Sequence, residues 1–187
     1  MVTRREYVAA LLALVPEALV VTGLGSPTWD VFAAGDRPEN FYLWGAMGGA
    51  VPLSLGLALA QPDRSVVTVT GDGEQLMGLG ALATVGAQQP PNLTIVVLDN
   101  GLYGETGRQR SHTALGTDLV TVAGGCGIVE TLRDPGPEEL AERIRARRAT
   151  TFAQVRVEKD EPPRALPPRD GVANKNAFRA ALGLPTF

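Results

Sequence analysis

Two short turns hold the residues best suited to chemistry. The first is Gly71-Asp72-Gly73-Glu74, and the second is Asp99-Asn100-Gly101-Leu102-Tyr103-Gly104. Twenty-five residues lie between Gly73 and Asp99. Asp72 offers a carboxylate and Asn100 an amide oxygen. Leu102 offers a backbone carbonyl, because Gly101 lets the turn fold tightly. Hard oxygen donors of this kind suit magnesium, which often completes its octahedral shell with phosphate oxygens. Gly71 and Gly73 allow backbone N–H groups to approach a phosphate closely, and a helix starting near Glu74 adds its positive end. The chemistry implied is a diphosphate held through a divalent cation. Taken singly, Asp-Gly and Asn-Gly are ordinary turn dipeptides. Two such turns, each straight after a buried strand, are what point to a site.

The elements that must position these turns follow from the apolar pattern. Strands are expected at 18–22, 41–43, 65–70, 93–98, 128–131 and 152–157. The run at 93–98 is almost continuously apolar, as in a strand buried on both faces. Helices are expected between the strands. Thr3 and Glu6 have capping-box spacing, and Tyr7, Val8, Leu11, Leu12 and Val15 then share one face. Further helices are read to residue 60 after a Gly-rich turn at 44–49, then at 75–87, at 118–126, and at 137–148 with Leu140 and Ile144 inward. The alternation predicts an α/β fold: a single-domain, parallel, six-stranded sheet with helices on both faces. Such sheets bind ligands beyond the carboxyl ends of their strands, where both turns lie. The expected organisation is one diphosphate-binding domain over 1–157. A proline-rich tail over 158–187 follows, with a short terminal helix at 174–182.

Composition removes several function classes. The 187 residues carry 17 basic and 20 acidic side chains, a net charge of −3, so no basic excess exists for nucleic-acid binding. One cysteine, Cys126, excludes a disulfide framework and a self-contained iron–sulfur cluster, and it fits a reducing, cytoplasmic setting. Cys126 itself reads as inert core. One histidine, His112, excludes an HExxH metal site. Two long uncharged runs, 40–62 and 75–98, are broken by Gly and Pro and read as buried soluble structure rather than membrane spans.

The GDG turn, its spacer and DNGLYG together resemble the metal and diphosphate motif of thiamine-diphosphate-dependent enzymes. The family usually has Asn-Asn where this chain has Asp99-Asn100, and its metal ligand is the second position, Asn100 here. The resemblance implies magnesium bound by Asp72, Asn100 and the Leu102 carbonyl. Gly71, Gly73, Glu74, Tyr103 and Gly104 join them around the thiamine diphosphate. Upstream, the stretch from Leu43 to Pro52 resembles the segment contacting the aminopyrimidine ring. The Gly45 carbonyl would face its amino group, and Met47 would hold the cofactor bent. The family also needs a second domain, which binds the pyrimidine ring and supplies an activating glutamate. Glu6 and Glu17 do not sit in a matching context. The resemblance therefore implies a partner α subunit carrying that domain and glutamate, in a heterotetramer or larger assembly.

The segment from Gly104 to Thr113 is most similar to the β subunit of sulfopyruvate decarboxylase and the matching half of phosphonopyruvate decarboxylase. The implied reaction is decarboxylation of a small 2-oxo acid to an aldehyde. His112 is a candidate proton relay, and Glu105 and Thr106 are candidates for the substrate pocket. Arg108 and Arg110 are candidates for a sulfonate or phosphonate tail, since guanidinium forks suit such oxyanions. Each of these also has an ordinary loop reading. Two other classes stay open: the β subunit of a 2-oxoacid:ferredoxin oxidoreductase with all its clusters on partners, and a non-catalytic assembly subunit.

Overall fold

The computed structural model describes residues 1–187. Its centre is one sheet built from β1 (Leu19–Thr22), β2 (Asn40–Tyr42), β3 (Val66–Gly71), β4 (Leu93–Asp99), β7 (Glu130–Arg133) and β8 (Thr151–Arg156). The order is β2-β1-β3-β4-β8-β7, and every pairing is parallel. The expected six-stranded architecture is the one observed. A separate antiparallel hairpin, β5 (Leu102–Tyr103) with β6 (Gln109–Arg110), follows β4. The sequence pattern gave no sign of it, because two-residue strands are too short to show a period.

Alternate residues of the strands feed two cores. Val67, Val69, Val96 and Leu98 face one layer, with Tyr7, Leu11, Leu140 and Ile144 from α1 (Arg4–Leu14) and α7 (Pro137–Ala146). The helix α2 (Ser26–Ala33) adds Val31 to the same layer. Leu93, Ile95 and Val97 face the other layer. There they meet Val51 and Leu55 of α3 (Ala50–Ala60), Leu82 and Val85 of α5 (Ala81–Gln88), and Leu119 and Ala123 of α6 (Leu119–Gly125). Burial on both faces explains why β4 reads as a continuous apolar run.

The helix expected at 75–87 is two pieces, α4 (Asp72–Met77) and α5, parted by Gly78-Leu79-Gly80. Gly78 is the reason for the break, since its backbone touches Gly48. A Cβ built on Gly48 would stand 2.8 Å from Gly78 N. Gly48 also has φ +87°, so the contact needs glycine twice over. The Thr3 cap is present, but Glu6 answers differently from the expected box. Its carboxylate accepts from the Thr3 hydroxyl at 2.7 Å, and the Thr3 oxygen accepts from Glu6 N at 3.3 Å.

The terminal helix α8 (Gly171–Ala181) starts three residues earlier than expected, with Asp170 as its cap. Phe178 packs edge-on against Phe41 at 5.4 Å and joins the second core. Asn174 donates to the Tyr42 carbonyl at 3.0 Å, fastening the helix to the edge strand β2. No helix is long and apolar enough to cross a membrane.

Candidate functional site

The site is assembled by adjacent strand ends. Gly71 of β3 pairs with Leu98 of β4, so the turns that follow them leave the sheet side by side. A cavity of about 280 Å³ opens there. Asp72, Gly73, Asn100, Leu102 and Tyr103 border it together, as do Met47, Glu105 and Thr106. The segment expected to carry the two turns has thus brought an acid and an amide to one wall. Asp72 is the first residue of α4, which places its carboxylate where backbone N–H groups lack helical partners.

Asp72 is 2 % exposed. Burial pushes its carboxyl up to about 6, the Ser111 hydroxyl bond opposes this, and the nearby Asp99 charge adds to it. Its Oδ2 accepts from Ser111, and Thr113 Oγ1 lies 3.3 Å from the same oxygen. No side-chain donor reaches Oδ1. Asn100 Oδ1 accepts from Leu102 N at 3.0 Å, which shapes the turn and leaves the carboxamide oxygen a second lone pair. The donors are a carboxylate, an amide oxygen and a neighbouring backbone carbonyl. They are hard oxygen ligands, and three or more clustered acidic, His or Cys side chains are not present to supply a transition-metal site. The set fits magnesium with phosphate oxygens completing its shell.

Asp99 has a different task from Asn100. Its Oδ1 accepts from Gly101 N at 2.9 Å and Thr113 Oγ1 at 2.8 Å, and its Oδ2 accepts from Gln154 Nε2 at 2.6 Å. Both oxygens are committed to the loop and to β8. Ser111 and Thr113, 2.8 Å apart, bridge the two carboxylates. The sequence reading missed Ser111, Thr113 and Gln154. Ser111 is wholly buried, yet it stands in a polar run that looks like exposed loop. Only the return of β6 beneath the Asp72 turn seals it.

Gly73 also meets the hairpin. A Cβ there would lie 2.7 Å from the Tyr103 ring. Glu74 borders the cavity, but its carboxylate is directed inward. Its Oε2 accepts from Thr70 at 2.8 Å and packs where a Gly23 Cβ would stand. Burial raises its pKa. Glu74 thus lines the cavity while its carboxylate buttresses the Gly23 turn. Gly45 (φ +89°) lies two residues before Met47 on the left-handed loop, outside the lining.

The two expected substrate groups and the expected proton relay are also outside the lining. Arg108 pairs with Glu161 and donates to the Lys159 carbonyl at 3.1 Å. Arg110 donates to the Ala114 carbonyl. His112 Nδ1 is hydrogen-bonded to the Tyr103 hydroxyl at 2.7 Å and reaches the cavity only through that ring. The hairpin turns both arginines toward the tail and the loop. Arg4, which the sequence did not single out, borders the cavity instead.

Comparison with known proteins identifies the family. Residues 28–161 match the family model "Thiamine pyrophosphate enzyme, C-terminal TPP binding domain". The chain is 39 % identical over 127 residues to the sulfopyruvate decarboxylase subunit beta of Methanocaldococcus jannaschii, covering 68 % of this chain and 66 % of that one. It is 34 % identical over 160 residues to the subunit of the same name from Methanococcus maripaludis, covering 86 % and 85 %. It is 47 % identical over 126 residues to the phosphonopyruvate decarboxylase of Streptomyces viridochromogenes, covering 67 % of this chain but 31 % of that longer one. Among solved structures, a thiamine diphosphate-dependent 4-hydroxybenzoylformate decarboxylase of Rhodococcus jostii superposes with TM-score 0.69 at 24 % identity, over 86 % of this chain and 33 % of that one. That likeness speaks for the fold alone.

Proposed function

The chain belongs to the thiamine pyrophosphate enzymes, as their C-terminal cofactor-binding domain, and from that membership we propose that it is the β subunit of a split, magnesium-dependent 2-oxo acid decarboxylase. The substrate class is a small 2-oxo acid with an anionic tail of the sulfopyruvate or phosphonopyruvate kind, and the setting is cytoplasmic. The observation carrying this reading is the meeting of Asp72 and Asn100 on one cavity at the ends of β3 and β4.

Asp72, Asn100 and the Leu102 carbonyl would hold magnesium, and Gly71 and Gly73 would let backbone N–H groups face the diphosphate. Tyr103 and Gly104 close that side, while Met47, and Gly45 through its carbonyl, belong to the ring end. When bound, the cofactor supplies the electron sink for carbon–carbon cleavage. The chain's own work is to anchor, orient and exclude water. Glu105 and Thr106, on the exposed lip of the cavity, would face the substrate. His112 would set the Tyr103 hydroxyl and exchange protons with it.

A partner α subunit would bring the pyrimidine-binding domain and its activating glutamate. The α3 helix supports such a partner, because it is apolar all round while Pro52, Gly56 and Leu59 stay exposed. The test is to co-purify the chain with a candidate α subunit and measure carbon dioxide and aldehyde from sulfopyruvate. Product that requires both chains, thiamine diphosphate and magnesium is expected. Reduction of an electron acceptor without aldehyde would reject the decarboxylase reading.

A further inference from the structure

Ser111 is absent from the cavity lining, yet it touches both of the turns that carry the expected metal ligands. It is wholly buried. Its Oγ donates to Asp72 Oδ2 in the first turn. Its backbone N–H donates to the Gly101 carbonyl at 2.9 Å, in the second turn between Asn100 and Leu102. Thr113 stands beside it. The Thr113 Oγ1 is 2.8 Å from Ser111 Oγ, 2.8 Å from Asp99 Oδ1 and 3.3 Å from Asp72 Oδ2. Both hydroxyls therefore meet the same oxygen of Asp72, and the other oxygen has no side-chain donor. The backbone N–H of Asp72 is a further partner of the carboxylate. Turning the carboxylate would leave the buried Ser111 hydroxyl unpaired, which is unfavourable.

This one-sided grip bears on which cation fits. Magnesium demands a near-ideal octahedron of oxygens. Calcium takes more oxygens at longer distances and readily accepts both oxygens of one carboxylate. A carboxylate whose second oxygen is occupied by hydroxyl donors is set for contact through one oxygen, which suits the smaller ion. Without those donors the same carboxylate can offer both oxygens to a larger one.

We propose that Ser111, assisted by Thr113, is a positioning residue that sets cation specificity: by occupying Asp72 Oδ2 it confines that carboxylate to ligation through one oxygen and so favours magnesium over calcium. The proposal rests on the reading of Asp72 and Asn100 as metal ligands given above. Its test is calorimetric titration of the assembled α–β enzyme, saturated with thiamine diphosphate, with magnesium chloride and with calcium chloride. The readout is the ratio of the two affinities, because a merely structural loss weakens both together and leaves the ratio alone. Ser111→Ala is expected to shift the ratio at least five-fold toward calcium. Ser111→Thr keeps the hydroxyl and is expected to stay within two-fold of the parent. Thr113→Val removes the second hydroxyl while Ser111 stays, and is expected to shift the ratio at least three-fold in the same direction. An unshifted ratio in Ser111→Ala, even with both affinities weakened, would overturn the proposal by making Ser111 a packing residue. Where Ser111→Ala does not fold, an unshifted ratio in Thr113→Val overturns it. So does a shift in Ser111→Thr as large as that expected of Ser111→Ala. A parent enzyme that binds neither metal would instead sink the metal reading itself.

Discussion

Asp72 carries the largest electrostatic consequence of any single residue here. In the proposed metal role it needs its charge to hold a cation, yet burial raises its pKa to about 6. In that role protons and magnesium would compete for it. At pH 5 most of the carboxyl is protonated, and at pH 7 most is ionised. Magnesium affinity should fall about ten-fold between pH 7 and pH 5, as a titration at the two pH values would reveal. Without the cation the sign for stability is the reverse of the usual carboxylate case. The folded pKa lies above the unfolded one, so Asp72 favours folding below pH 4 and that contribution is lost as pH rises through 6. Asp72→Asn should remove magnesium-dependent cofactor retention while raising the metal-free melting temperature at pH 7. Retention unchanged by gel filtration would reject the metal assignment. Arg108→Ala should leave the KM for the 2-oxo acid within two-fold, since Arg108 serves Glu161 and the tail.

At the scale of elements, the β5–β6 hairpin is the device that completes the site. It lays Tyr103 against Gly73, brings Ser111 and Thr113 to the two carboxylates, and turns Arg108 and Arg110 outward. Gly73→Ala should push the Tyr103 ring aside and cost at least ten-fold in cofactor affinity. The melting temperature should move by only a few degrees, because α4 is short and the displaced ring is partly exposed. Thermal melts paired with calorimetry separate the two effects. The terminal helix has a different role. Phe178 is buried against Phe41, so Phe178→Ala should cost about 3 kcal/mol, read as a lower urea midpoint. No shift in the midpoint would mean that α8 is dispensable to the core.

For the whole molecule, the cofactor-facing cavity has a large exposed apolar side chain at its edge. Met77, which lines it at the end of α4, is 62 % exposed. An exposed apolar side chain at the edge of a site is expected where a second chain docks, as in the proposed split enzyme. The isolated chain should accordingly show no decarboxylase turnover, and adding the α subunit should restore it. Robust turnover by the purified single chain would end the split-site account.

The residue types and their order determined the sheet, its two apolar faces and the diphosphate turns. These depend on local rules: period-two and period-3.6 burial, strand length, and the backbone freedom of Gly71 and Gly73. They also placed Asp72 and Asn100 on neighbouring strand ends, because a strand–helix–strand unit of that length can hardly do otherwise. Local rules could not tell which polar groups of the 99–116 segment turn inward. Ser111 and Arg108 look alike as loop residues, yet one is sealed beneath Asp72 and the other faces the tail. Nor could they show that Arg4, nearly seventy residues before Asp72, comes to the same cavity. Those outcomes are decided by contacts between chain segments far apart in sequence, and only the packed fold brings such segments together.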